Sequence, residues 1–131
     1  MAKVLTDYLG NASLLRFEWG VSDCATFVLA WLDAQTGMAG SSAWAGRYHN
    51  EQSCEDFIAA GGGHAAIADD FLHRHYLIYR GMPGPGNPVL TNFKGRDAFG
   101  LRVDDRLIAL RTEKGVLLTP RADVKAEWRI R

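Results

Sequence analysis

The spacing of apolar residues changes period once along this chain, and the change falls on a run that regular secondary structure does not tolerate. Gly81-Met82-Pro83-Gly84-Pro85-Gly86-Asn87-Pro88 holds three of the four prolines. Proline lacks an N–H donor and fixes φ, so the run reads as a loop, neither helix nor central strand. Before it, apolar residues recur at helical spacing. Val4, Leu5, Tyr8 and Leu9 predict a helix over 3–10, closed by Gly10-Asn11. Ser22 or Asp23 caps a second helix carrying Phe27, Val28, Trp31 and Leu32 and stopped by Gly37. Its apolar residues lie on nearly every side, which marks a buried central helix. Residues 38–52 read as an irregular connection, and helices are expected over 53–60 and 64–73.

Beyond the loop come short β-like runs at 89–93, 98–103, 106–111, 116–119 and 127–130. Turn residues bound each of them, and Asp104-Asp105 between two runs is a hairpin signal. Helices first and an antiparallel meander second predict an α+β domain. With 131 residues, neither half suffices for a core alone, so 1–131 is expected to form one domain, helical to about 80 and stranded from about 87.

Charge and cysteine usage narrow the function classes. Fifteen Lys and Arg balance fifteen Asp and Glu, so bulk charge supports neither a nucleic-acid partner nor an anionic membrane. With 47% hydrophobic and 23% charged residues, the chain has none of the bias of a disordered, collagen-like or coiled-coil protein. Its longest dense apolar stretch, residues 24–32, is far short of the roughly 20 that a bilayer requires, so no membrane insertion is expected. No secretory leader is visible before Asp7, and synthesis in a reducing cytoplasm is the expectation. Cys24 and Cys54 then read as thiols rather than a disulfide, and no His/Cys spacing suggests a metal site.

Cys24 lies in the first turn of the second helix, where free N–H groups and the helix dipole favour a thiolate. It reads either as a nucleophile or as a small buried residue packed beside Phe27. Asp23 beside it is better suited to cap the helix than to accept a proton, since its charge opposes a thiolate. Trp44, with Arg47 and Tyr48 in the irregular connection, reads either as an anchor of a binding surface or as a plug over the core.

The stretch Trp19-Gly20-Val21-Ser22-Asp23-Cys24, followed by an apolar helix, resembles the NlpC/P60 superfamily of papain-like cysteine peptidases and amidases. It is most similar to the small branch found in the tail-gene clusters of tailed bacteriophages. Thr36-Gly37, Arg47-Tyr48, Arg80-Gly81 and Ala98-Phe99-Gly100-Leu101 extend the similarity over most of the chain. The resemblance implies a papain-like fold, N-terminal helices on a small C-terminal antiparallel sheet, with Cys24 at the nucleophile position. The catalytic His would stand where this chain has Ala98, and alanine neither takes nor returns a proton. His49, His64, His73 and His75 all precede the strands.

The resemblance thus implies a structural component of a phage tail tip or baseplate, made in the host cytoplasm and carried in the virion. Its partners would be tail or baseplate hub proteins, met through exposed aromatic and Arg residues without a cofactor. An active thiol hydrolase of peptidoglycan peptides or of a tail precursor, with Cys24 and a base from elsewhere, is the second expectation. A transient tail assembly factor is the third.

Overall fold

The computed structural model describes residues 2–130. Helices α1 (Ala2–Ala12), α2 (Cys24–Thr36), α3 (Gly40–Trp44), α4 (Glu51–Ala60) and α5 (His64–Tyr76) precede strands β1 (Tyr79–Arg80), β2 (Pro88–Phe93), β3 (Arg96–Arg102), β4 (Ile108–Thr112), β5 (Gly115–Thr119) and β6 (Asp123–Arg129). The strands form one antiparallel sheet in the order β1-β6-β2-β3-β4-β5. The α+β expectation therefore holds, with helices preceding an antiparallel sheet.

Several local expectations need correction, among them the last strand, which begins at Asp123 rather than 127, and Tyr79–Arg80, which is strand. Helix α1 runs through Gly10 to Ala12, because Leu5, Leu9 and Ala12 share a face buried in the core, and tertiary burial outweighs the cost of one helical glycine. Part of the expected irregular stretch is helix α3, which ends at the buried Trp44. Helix α4 starts before Ser53: Asn50 accepts the Ser53 N–H at 2.8 Å, and the Ser53 hydroxyl accepts the Asn50 N–H at 3.1 Å. Ser53 is thus the third residue of a capping box rather than its first. Pro88 opens the central strand β2, a position where its missing N–H breaks no interior ladder bond.

Strand alternation divides the sheet's side chains between two clusters. Leu90, Phe99, Leu101, Ala109, Ala126 and Trp128 join the main core with Leu29, Trp31 and Leu32 of α2. Val89, Ile108 and Leu110 form a second cluster, with Ala98 packed against it. Gly100 belongs to this second face. A β-carbon there would come within 2.7 Å of the Ala109 carbonyl, so glycine lets β3 and β4 approach closely.

The Gly/Pro run is held by buried polar groups rather than left free. Glu127 of β6 accepts from Arg102 of β3 (Nε at 3.0 Å to both carboxylate oxygens, Nη2 at 2.9 Å), from Asn87 Nδ2 at 2.9 Å and from the Gly84 N–H at 3.1 Å. The Gly86 carbonyl accepts the Trp31 indole N–H at 2.8 Å, which ties the same loop to α2. Arg111, also buried, donates to the carbonyls of Ala12 and Leu15 and so closes the open C-terminal end of α1.

Glu127→Ala would leave the Arg102 guanidinium buried without its counter-charge. A loss of about 3–5 kcal/mol in urea unfolding is expected, against a smaller loss for Glu127→Gln, which keeps an acceptor. Equal losses for the two variants would show that the ion pair does not hold the loop.

Candidate functional site

The turn leading into α2 is built around Asp23, whose side chain is wholly buried. Its Oδ1 accepts the N–H groups of Ala25 and Thr26, both at 3.0 Å, and its Oδ2 accepts the Gly20 N–H at 2.7 Å. The Thr26 hydroxyl accepts the Asp23 N–H at 2.7 Å and completes the box. Of the two candidate caps, Asp23 fills the role. Gly20 is required twice over. Its φ is +80°, and a β-carbon would lie 2.2 Å from the Tyr48 carbonyl oxygen. The Gly46 N–H donates to the Gly20 carbonyl at 3.0 Å, so the turn before Cys24 and the segment after α3 are clamped together.

That clamp decides the fate of the aromatic candidates. Trp44 and Tyr48 are both buried, and the Trp44 indole N–H donates to the Tyr48 hydroxyl at 2.8 Å. Trp44 also meets Phe57 and Phe71 edge to face, each with centroids 5.1 Å apart. Of the two readings offered by the sequence, the core plug is correct for both residues. Arg47 alone of the three lies on the surface, its Nε donating to the Ala43 carbonyl at 3.1 Å.

Cys24 opens α2, as its sequence position predicts, but its surroundings oppose a thiolate. Burial pushes the thiol up to about 12, the Asp23 charge acts in the same direction, and so would a Cys54 thiolate. The N–H groups of Phe99 and Ala25 pull the other way and are outweighed. The expectation that the helix start favours ionisation therefore fails, since desolvation and a carboxylate one residue away exceed the dipole. Cys54 belongs to the same cluster. Burial raises its thiol to about 11, with Asp23 adding to the rise and the Tyr48 hydroxyl opposing it. Burial and Asp23 likewise hold the Tyr48 proton in place.

The expected base position does not face this cluster. Ala98 pairs with Thr91 and packs with Val89, Ile108 and Leu110, whereas Phe99 points into the helical core and sends its N–H to Cys24. The alternation of a strand puts neighbours on opposite faces, so the residue of β3 on the helical side is Phe99 and not 98. The histidines lie elsewhere. His49 is exposed ahead of α4, and the rings of His73 and His75 lie tilted against those of Tyr79 and Phe71. His64 opens α5 with its ring 5.5 Å from that of Phe99 and its Nδ1 4.0 Å from Asp97. Among the described residues no hydrogen bond or ion pair joins an imidazole to Cys24.

A separate open cleft of about 480 Å³ was not legible in the sequence. Its titratable groups come from four elements: His64 and Asp69 of α5, Arg80 of β1, Asp97 of β3 and Lys125 of β6. These are internally matched, with Arg80 on Asp69 at 2.8 Å and Lys125 on Asp97 at 2.8 Å. Of its lining, the sequence drew attention to Arg80 and His64, but nothing in their spacing brings them together. Burial lowers the His64 pKa, which leaves the ring neutral at pH 7.

A thiol with a pKa near 12 is ionised to roughly one part in 100,000 at pH 7. Alkylation of Cys24 is expected to rise about tenfold per pH unit through pH 10, without a plateau, and to be no faster than that of Cys54. Asp23→Asn keeps the cap and removes the charge, so it should speed labelling of Cys24; Asp23→Ala removes the cap and should cost about 1–2 kcal/mol in unfolding. A plateau in Cys24 labelling below pH 9 would contradict the assignment of a neutral thiol.

No curated protein and no solved structure matches the chain. A model of a domain of unknown function matches residues 1–130, and the chain accordingly belongs to the DUF6950 family.

Proposed function

We propose that this chain is a non-hydrolytic NlpC/P60-like domain that serves as a structural component of a phage tail tip or baseplate. The reading takes its family likeness from the Trp19 to Cys24 stretch, in which Asp23 caps a central helix that starts at the cysteine and lies against an antiparallel sheet. The observation that carries its non-hydrolytic part is the state of Cys24. Burial and the Asp23 charge disfavour its thiolate, and no hydrogen bond or ion pair joins an imidazole to it among the described residues. A cysteine hydrolase needs the reverse arrangement, a base on the thiol and a third group orienting that base.

In this reading the cluster of Asp23, Cys24, Tyr48 and Cys54 is retained because it joins the start of α2 to the segment after α3. The burial of Trp44 and Tyr48 moves the expected contact surface elsewhere. Leu14, Leu15 and Val21, exposed at 83%, 61% and 61% in the connection from α1 to α2, are among the exposed apolar groups and would face a tail or baseplate hub protein. Arg47 remains an exposed cation on the segment that Gly46 joins to the Gly20 turn.

Mass spectrometry of purified tail particles from a phage encoding the chain tests the proposal. The protein is expected in finished particles at fixed stoichiometry, and Cys24→Ser is expected to leave particle yield and infectivity unchanged. Presence during assembly but absence from finished tails would instead mark a transient assembly factor. Cleavage of murein peptides that disappears in Cys24→Ser would mark an active hydrolase, and either result would overturn the reading.

A further inference from the structure

Helix α5 is held unevenly along its length. Ala68, Leu72 and Tyr76 are buried in the core, and Asp69 accepts from Arg80 of β1 and from the Trp128 indole of β6, both at 2.9 Å. In the first turn, by contrast, Ala65 and Ile67 are only partly buried and Ala66 is exposed on the open cleft. His64 ties this turn to β3, with its ring 5.5 Å from that of Phe99 and its Nδ1 4.0 Å from Asp97. The turn is entered through Gly62 and Gly63, both at positive φ (+94° and +103°), where the backbone can change course without a side chain in the way.

The place of His64 suits a neutral ring better than a cation. Its side chain is 29% exposed, with Phe99 against it. It is the first residue of α5, where Gly63 supplies no side-chain acceptor and the open N–H groups leave the positive end of the helix dipole unanswered. Asp97, which could balance an imidazolium, is already engaged. Its Oδ2 accepts from Lys125 Nζ at 2.8 Å and its Oδ1 from Asn92 Nδ2 at 3.0 Å. Burial holds the ring's pKa below the ordinary 6.5; Asp97 of β3 opposes that shift, Lys125 of β6 adds to it, and Glu55 of α4 opposes it. Asp69 and Arg80, which also line the cleft, are paired with one another.

We propose that His64 is an acid-sensitive latch: protonation of its ring unwinds the first turn of α5 from β3 and widens the cleft, Gly62 and Gly63 taking up the change while the rest of the helix stays in the core. The released ring, at its ordinary pKa, binds the proton more strongly than the latched one. Opening therefore rises as pH falls through 6.5 and levels off below the pKa of the latched ring, by at most about tenfold per pH unit for one proton. Asp69 and Asp97 titrate below 3.8, so they do not contribute in this range. The latch requires nothing of the proposed tail role.

Amide hydrogen exchange of the full chain, followed by NMR from about pH 7 to about pH 5, tests it. The Ile67 N–H, which donates to the Gly63 carbonyl at 3.0 Å, reports the first turn, and the Leu77 N–H, on the His73 carbonyl at 3.1 Å, reports the far end. Corrected for the intrinsic exchange rate at each pH, Ile67 protection is expected to fall by about three- to tenfold across that range while Leu77 protection holds. In His64→Gln, Ile67 protection should not vary with pH. The His64 ring, followed through its Cε1 proton, is expected to titrate below 6.5, and Lys125→Gln, which frees Asp97, should raise that value and flatten the Ile67 response. Lys125 is exposed, so this second variant keeps the test decisive should His64→Gln fold poorly. Titration of His64 at or above 6.5, Ile67 protection indifferent to pH, an equal fall at Leu77, or an undiminished fall in His64→Gln would overturn the proposal.

Discussion

The buried carboxylate of Asp23 ties the turn at Gly20 and the start of α2 to a segment distant in sequence. It satisfies the open N–H groups at the start of α2, receives the Gly20 N–H from the preceding turn, and lies beside Tyr48 from the segment after α3. A buried charge of this kind is tolerable only because its oxygens accept several hydrogen bonds. The location of Cys24 follows directly, since a helix capped at residue 23 must begin at 24. The same carboxylate also weakens the chemistry that the position suggests, because a negative charge one residue away opposes a second one on sulfur.

A second buried charge organises the sheet. Glu127 and Arg102 link β6 to β3, and the Gly/Pro loop donates to the same carboxylate through Asn87 and Gly84. What reads in sequence as a loop is therefore tied both to the sheet and, through Gly86 and Trp31, to the central helix. On β3 itself, pleating sends Ala98 to one face and Phe99 to the other. The contrast explains why a carried-over motif position need not carry over a geometry: a one-residue difference in a strand reverses the side to which a group points.

Membership of the DUF6950 family assigns no chemistry, so the functional reading depends on the site. Two opposing influences act on Cys24 there. The helix start and the N–H groups of Phe99 and Ala25 favour a thiolate, while desolvation and Asp23 favour the thiol, and the second pair prevails. The proposed structural role rests on that balance.

The class of the fold was legible in the sequence because it depends on local spacing: apolar residues at helical period before Gly81 and alternating short runs after Pro88 admit few other architectures. The cap at Asp23 was legible for the same reason, since capping acts over three residues. Glycine at 20 was visible as a break, but its second requirement, the approach of the Tyr48 carbonyl, needs a partner 28 positions away and appears only in the folded chain. The burial of Trp44 and Tyr48, the charged cleft around His64 and Asp97, the Arg102–Glu127 pair and the protonated state of Cys24 all share that dependence on distant partners. Sequence by itself determined that helices precede strands and that Asp23 caps the central helix. Tertiary structure alone decided which of those residues meet and which are dry, because desolvation and pairing of charge are properties of surroundings that the neighbouring residues in the chain do not supply.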